Sequence, residues 1–314
     1  MNADIKVSVC VVTYNQEKYI AQCLQSLVEQ VTDFDFEIIV GDDYSSDKTR
    51  DIIRKFSIKY SNIIENFHPK NIGTVKNILS TYKMAKGKYI CHLDGDDYAL
   101  PGKLQSQFDA LEANADCKIC THDVVVVSKD GVLVKNSFNS KETGVYNVKD
   151  IYADLPFFSH SSKMFINTYD ENFGSIFTDS TLDIEVHISQ LGDGNLIHLG
   201  TALGAYRIFT GVSSLNKKVN KDLVDGVDRV FGAAIKHDSL NTSFYRKCYA
   251  ISFFKFSYQS ALYGDKDGVG KYIRKSLSIY RFSSYQYYFY LLSYVPSVLI
   301  FLCKTRAKLK GYQF

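Results

Sequence analysis

The first hundred residues predict an α/β fold, a mostly parallel sheet flanked by helices, on three observations. Compact apolar segments alternate with amphipathic ones four times before Asp97, the rhythm of strands joined by crossover helices. The apolar segments at 6–12, 36–40 and 89–93 are too short for helices and rich in Val, Ile and Cys. Two of them run straight into carboxylates, Asp42-Asp43 and Asp94-Gly95-Asp96-Asp97. In open parallel sheets, ligands gather beyond the carboxyl ends of the strands.

The first strand, 6–12, leads into Thr13-Tyr14-Asn15. Ile20, Cys23, Leu24, Leu27 and Val28 then recur on one face, which predicts a helix over 16–30 packed on the sheet. The second strand, 36–40, ends in Gly41-Asp42-Asp43-Tyr44-Ser45-Ser46-Asp47, where Ser46 or Asp47 caps a helix that buries Ile52, Ile53 and Phe56. A third strand at 63–67 passes through His68-Pro69 to Asn71-Ile72-Gly73, and a helix through Val75, Ile78, Leu79 and Tyr82 follows. The fourth strand carries the acidic run at 94–97.

Carboxylates crowded at a strand end repel one another and resist desolvation, so a divalent cation such as Mg²⁺ or Mn²⁺ suits them. Taken alone, the run fits such a metal site and an acidic Asp-Gly turn equally. The fold would bring Thr13-Tyr14-Asn15, Asp42-Asp43 and 94–97 to one sheet edge, where a single site collects them. Neither Gly-x-Gly-x-x-Gly after the first strand nor Gly-x-x-x-x-Gly-Lys-Ser/Thr occurs. Dinucleotide dehydrogenases and P-loop enzymes are therefore poor candidates.

Residues 7–15 (VSVCVVTYN), 37–49 (EIIVGDDYSSDKT), 71–77 (NIGTVKN) and 87–104 (GKYICHLDGDDYALPGKL) resemble, in order, family 2 glycosyltransferases of the bacterial surface-polysaccharide type, which have the GT-A fold. The likeness is specific over the first 105 residues and continues more weakly to about 215. It implies a catalytic domain over 1–215, with a nucleotide-binding half at 1–105 and an acceptor half at 106–215. The implied reaction is metal-dependent transfer of a sugar from a nucleotide-diphosphate donor, with inversion at the anomeric carbon.

Position by position, the resemblance has Thr13, Tyr14 and Asn15 bordering the nucleotide, with Tyr14 flanking the base. Asp43 would accept a hydrogen bond from the base, which for a carboxylate means the ring N–H of uracil or thymine or the donor edge of guanine. Asp42, Asn71, Asp94 and Arg207 complete the implied nucleotide set. Asp96 first, and Asp94 second, would hold Mg²⁺ or Mn²⁺. Asp179 matches the general base, although Thr178 stands where the family commonly has Glu or Gly; Asp183 and Glu185 are the alternatives. The strand ending in Tyr206-Arg207 continues as Ile208-Phe209-Thr210, without the family's common His, so this loop offers the metal no nitrogen ligand. His160 falls in the acceptor half, where a pocket residue and a structural histidine are both plausible readings.

Charge divides the chain. The net charge is +3, yet eight basic residues and no acidic one follow Asp267, so residues 1–267 carry −5. Between Arg281 and Lys304 lies the uncharged run YQYYFYLLSYVPSVLIFLC at 285–303. Tyrosines favour the membrane interface and basic residues favour anionic headgroups, which predicts a helical extension over 216–314 with a membrane-associating segment at 281–310. A core helix under the catalytic domain is the competing reading. The N-terminus starts polar and enters the first strand at once, so no cleavable leader is expected and the enzyme should lie peripherally on the cytoplasmic face of the inner membrane.

Seven cysteines in apolar segments read as reduced, buried thiols, and Cys117-x-x-Cys120 as core. The polar stretch 128–143 reads as a hairpin or loop, and 216–228 as a mobile charged connection. The expected partners are a nucleotide-sugar donor, a lipid-linked glycan acceptor (surface polysaccharide, O-antigen, capsule or lipopolysaccharide core) and the inner leaflet, with no nucleic acid. A sugar-nucleotide nucleotidyltransferase and an inactive, membrane-tethered glycan-binding protein are the alternatives.

Overall fold

Strand β1 (Val7–Thr13) is buried along its whole length because both faces of the sheet are covered. Val7, Val9 and Val11 point to one side, where Ile20, Cys23, Leu24 and Leu27 of α1 (Ile20–Val28) join them in the core. Cys10 points to the other, its Sγ 3.7 Å from the Thr81 carbonyl of α3 (Thr74–Lys83). These relations come from a computed structural model, which describes residues 4–168, 178, 181–208 and 218–309. The chain separates into two units, Met1–Ile151 with Pro156–Gly211, and Tyr152–Leu155 with Val212–Phe314.

In the first unit β2 (Phe36–Asp42), β3 (Ile63–Phe67) and β4 (Tyr89–Asp94) join β1 in a parallel block of order β3-β2-β1-β4. Between β2 and β3 lies α2 (Thr49–Lys59). The N-cap of α2 is Lys48 rather than Ser46 or Asp47, although Asp47, one residue before it, accepts from Thr49 N at 3.0 Å. α1 begins four residues later than the periodicity predicts, because Gln16 to Tyr19 form a turn whose Gln16 carbonyl accepts from Tyr19 N and Ile20 N.

Beyond β4 the sheet changes direction. After β5 (Tyr98–Ala99), α4 (Lys103–Ala113), β6 (Cys117–Val127), β7 (Leu133–Lys135), β8 (Gly144–Tyr146) and α5 (Val148–Ala153), strand β9 (Met164–Ile166) enters antiparallel to both β4 and β6. The helix α6 (Asp183–Leu191) leads to β10 (Asn195–Arg207), parallel to β6. The whole is a mostly parallel mixed sheet of order β3-β2-β1-β4-β9-β6-β10-β5. The polar stretch after β6 is a hairpin, since β7 pairs antiparallel with β6. All seven cysteines are buried and free, Cys117 and Cys120 within β6.

The second unit is helical: α7 (Lys221–His237), α8 (Thr242–Tyr263), α9 (Lys266–Ile279), α10 (Ser284–Leu292) and α11 (Pro296–Leu309). The expected charged connection at 216–228 is corrected in its second half. Asn220 caps α7 by accepting from Asp222 N at 2.9 Å, and Val224, Val227, Val230 and Phe231 form one buried stripe. The uncharged run at 285–303 is two helices rather than one. It breaks at Ser293-Tyr294-Val295, and Pro296 starts the second helix, where its missing N–H costs nothing. Among the described residues no helix is long and apolar enough to cross a membrane.

Candidate active site at the carboxyl edge of the sheet

The register sets Thr13 beside Asp42 and Val12 beside Asp94, so the loops after β1, β2 and β4 meet at one edge. Gly95 N donates to the Val12 carbonyl at 2.9 Å and Asp43 N to the Thr13 carbonyl at 3.0 Å. Close approach makes Gly95 obligatory: a Cβ there would lie 2.4 Å from Gln16 Oε1 and 2.9 Å from Thr13 Cβ. Asn15 (φ 52°) and Tyr44 (φ 66°) adopt left-handed backbone, two of three non-glycine residues that do so among the described residues. Strain of this kind collects where a loop shape serves a ligand. The two loops are laced together, Asn15 N to Ser45 Oγ at 2.8 Å and Ser46 N to Asn15 Oδ1 at 2.8 Å. Tyr14 is left 45% exposed, its ring available for stacking.

The acidic residues divide by what holds them. Asp43 is buried and accepts from Ile72 N (2.6 Å) and Gly73 N (3.0 Å), while Asn71 Nδ2 donates to its carbonyl at 3.3 Å. It thereby shapes the turn before α3, and each carboxylate oxygen keeps a free lone pair. Asp42, expected among the nucleotide ligands, is corrected: it is fully buried, ion-paired to Arg50 Nε, and accepts from Ser45 N at 3.0 Å. Its role is to fix the turn after β2.

Arg207 also departs from the expected reach toward a diphosphate. It is buried between the rings of Tyr19 and Tyr98, and it donates through Nε to the Asp96 carbonyl (2.9 Å), through Nη1 to the Ser128 and Lys129 carbonyls (both 3.2 Å), and through Nη2 to Gln22 Oε1 (2.7 Å). Its backbone N donates to Asp97 Oδ1 at 2.7 Å. Arg207 thus pins the acidic loop to α1 and to the β6–β7 turn.

Asp94 is aimed by two side chains. His92 Nε2 lies 3.2 Å from Asp94 Oδ1 and Ser161 Oγ donates to Oδ2 at 3.2 Å; because a carboxylate only accepts, the imidazole proton belongs on Nε2, which leaves Nδ1 to accept from Tyr82 OH, 2.9 Å away. Burial opposes the charge of Asp94, but these hydrogen bonds and nearby Lys163 outweigh it and hold the carboxyl below its usual range. Asp97 is the reverse. Burial first, then the charges of Asp94 and Asp96, push its carboxyl well up, and its buried Oδ2 has no hydrogen-bond partner among the described residues.

That crowding fits a divalent cation, since hard oxygen donors suit Mg²⁺ and Mn²⁺. Among the described residues no three His, Cys, Asp or Glu side chains converge to cage an ion unaided. Ions of the Mg²⁺ kind are commonly held by one or two carboxylates together with substrate phosphates and water, and Asp96 with Asp94 matches that donor set.

Behind Asp94 lies a buried polar cluster that motif reading missed. His160 Nδ1 is 2.9 Å from His187 Nε2, its ring packs 3.9 Å from that of His92, and Lys163 Nζ donates to Gln190 Oε1 at 2.8 Å. His160 is therefore a structural residue, beneath the acidic loop. The available signal was polarity inside an apolar run: His92 falls within the buried strand β4. Burial pushes His122, His160 and His187 well down, His198 to about 4 and Lys163 to about 7. Below pH 6.5 the unfolded chain binds more protons at these histidines, so each contributes a loss of up to about 1.4 kcal/mol per pH unit as pH falls toward its folded value. Asp97, and less so the open Asp183, work the other way. Melting temperature is expected to fall more between pH 6.5 and 5 than between pH 8 and 6.5, which calorimetry over that series checks.

Asp179 lies outside the described residues. Asp183 begins α6 with its side chain 63% exposed, so water relieves much of the desolvation that would raise its carboxyl; the charge of Asp94 also pushes it up, and Lys163 opposes. Glu185 Oε2 is engaged at the helix start, accepting from Leu182 N at 2.7 Å.

The sequence model described as Glycosyl transferase family 2 matches residues 8–174, over half of the chain. An uncharacterized glycosyltransferase of Methanocaldococcus jannaschii is 33% identical over 164 residues, 50% of this chain and 56% of that protein. A poly(ribitol-phosphate) beta-glucosyltransferase of Bacillus spizizenii is 38% identical over 98 residues, 30% of this chain and 15% of that protein. The match spans about half the length of the first curated relatives. Among solved structures, Staphylococcus aureus TarS 1-349 in complex with UDP-GlcNAc has the same fold, with a TM-score of 0.68 at 19% identity over 99% of this chain and 93% of that one. The matched residues run from the second residue of β1 through β4 and the acidic loop built above, and the chain belongs to glycosyl transferase family 2.

Proposed function

We propose that this glycosyltransferase moves a sugar from a uridine diphosphate donor to a hydroxyl of a lipid-linked glycan or polyol-phosphate polymer at the inner face of the cytoplasmic membrane, with inversion at the anomeric carbon. The observation that carries the reading is the meeting of the 13–15 loop, Asp43 and the 94–97 loop at one sheet edge. The choice of uridine and of a polymer acceptor is supported by the neighbours, one solved with UDP-GlcNAc and others named poly(ribitol-phosphate) transferases.

Tyr14 flanks the base and a free lone pair of Asp43 accepts its ring N–H. Asp96 and Asp94 hold Mg²⁺ or Mn²⁺, which when bound supplies Lewis-acid stabilisation of the leaving diphosphate. His92 and Ser161 keep Asp94 oriented, and Arg207 keeps the loop in place. Asp179 takes the proton of the attacking hydroxyl as it bonds to the anomeric carbon.

A thermal-shift screen of nucleotide diphosphates with and without Mn²⁺ tests the site. Stabilisation by UDP that requires the metal is expected, about 2.7 kcal/mol at a hundredfold excess over Kd. Equal shifts from every nucleotide in the presence of a chelator overturn it. Asp179→Asn is expected to abolish transfer while leaving the nucleotide shift near wild type; loss of both makes it structural. If instead an acid limb of kcat/KM disappears in Asp183→Asn, the base is Asp183.

A further inference from the structure

The helices α10 and α11 use one face internally and leave the other in water. Phe289, Leu299, Cys303 and Ala307 are buried with α8 and α9, and Gln286 is pinned by Ser276 Oγ at 2.8 Å. On the open side Tyr288, Leu291, Tyr294, Val298 and Phe301 are exposed, Leu291 by 64% and Phe301 by 68%. An apolar groove of about 630 Å³ opens between the two helices, lined by Tyr285, Tyr288, Leu292, Leu299 and Leu302 with Arg306 on its wall. Its volume lies within the range of small-molecule sites.

Charge identifies what covers this face. From residue 268 onward there are eight cations and no carboxylate, with Lys304, Arg306 and Lys308 on α11 itself. Tyrosine and leucine beside cations of a single sign match the boundary between acyl chains and anionic headgroups. Neither helix crosses a bilayer: nine and fourteen residues rise about 14 Å and 21 Å against a hydrocarbon core of about 30 Å.

We infer that α10 and α11 form a docking surface for an anionic phospholipid membrane, lying in the interface with an acyl chain in the groove and Arg306 against lipid phosphate. The inference rests on the proposed membrane-side acceptor and names the surface that would meet the membrane. It is independent of the nucleotide chemistry.

Flotation of the full chain with phosphatidylglycerol–phosphatidylcholine vesicles tests it. Wild type is expected to float with these and to remain below with pure phosphatidylcholine. Leu291→Glu with Phe301→Glu, and separately Arg306→Glu, should each weaken binding roughly tenfold while leaving the UDP and Mn²⁺ shift unchanged, which also shows that the variants fold. Equal flotation of wild type and variants overturns the inference. So does failure of wild type to float, and a dimer in sedimentation that the double variant abolishes would then make the face a protein contact. Loss of the UDP shift with flotation intact would refute the donor reading and leave the surface standing.

Discussion

Asp96→Asn is expected to lower transfer by about 10³-fold, the several kcal/mol that a metal contributes to a leaving diphosphate. The amide keeps the size and removes the charge, so the loop has no reason to move: its backbone is held by Arg207 at the Asp96 carbonyl and by Gly95 N on the Val12 carbonyl. Asp97 reports on the same event from below, because one of the two charges that raise its carboxyl disappears. The metal-dependent part of the UDP stabilisation should vanish, and folding should be unharmed. Wild-type kcat/KM in this variant, measured with Mn²⁺ and again after chelation, would remove the metal from Asp96. Asp94→Asn should be milder in binding, since the amide oxygen can still accept from His92 Nε2 while the Ser161 hydroxyl turns to accept from the amide N–H.

Arg207→Met should destabilise the first unit by about 3–4 kcal/mol, a loss on the order of 10 °C in melting temperature. Among the described residues the guanidinium donates to the carbonyls of Asp96, Ser128 and Lys129 and to Gln22 Oε1. A thioether satisfies none of them. Arg207→Lys should recover little, because one ammonium on a flexible stem cannot span acceptors that a planar fork reaches together. Denaturant titration followed by transfer kinetics separates the two consequences. KM for the donor should rise even where the variant is fully folded, since the acidic loop loses its tether. A variant that keeps wild-type stability yet loses kcat/KM steeply would return Arg207 to the role of direct ligand expected from the sequence, and unaltered stability with unaltered kinetics would refute both roles.

The parallel half of the sheet was legible because each strand there is a short apolar run with a periodic helix behind it, so local pattern and tertiary burial agree. The site was legible by residue type: aspartates at strand ends resist burial and draw notice. What stayed hidden was which carboxylates are already satisfied. Asp42 and Asp43 are sequence neighbours, and only the register, which turns Asp42 onto Arg50, separates a turn anchor from a residue with lone pairs toward the site. Arg207 was misassigned for a similar reason, since its acceptors come from segments around residues 22, 96 and 128, and no spacing rule joins them. The buried cluster of His160, His187 and Lys163 carries no motif. At 216–228, charged residues drew the eye from the Val224, Val227 and Val230 stripe that makes the segment helical.

β9 has a consequence for assembly. Met164–Ile166 is a keystone three residues long: Phe165 stands across from Ile90 on one side and Ile119 on the other, and β4 and β6 do not pair with each other. The four-strand block is contiguous in sequence, but its β4 edge stays raw until a segment seventy residues downstream arrives to seal it. An emerging chain therefore carries a bare, apolar strand margin through much of its synthesis, which makes this seam the place where chaperones would be needed and where truncated fragments would stick together.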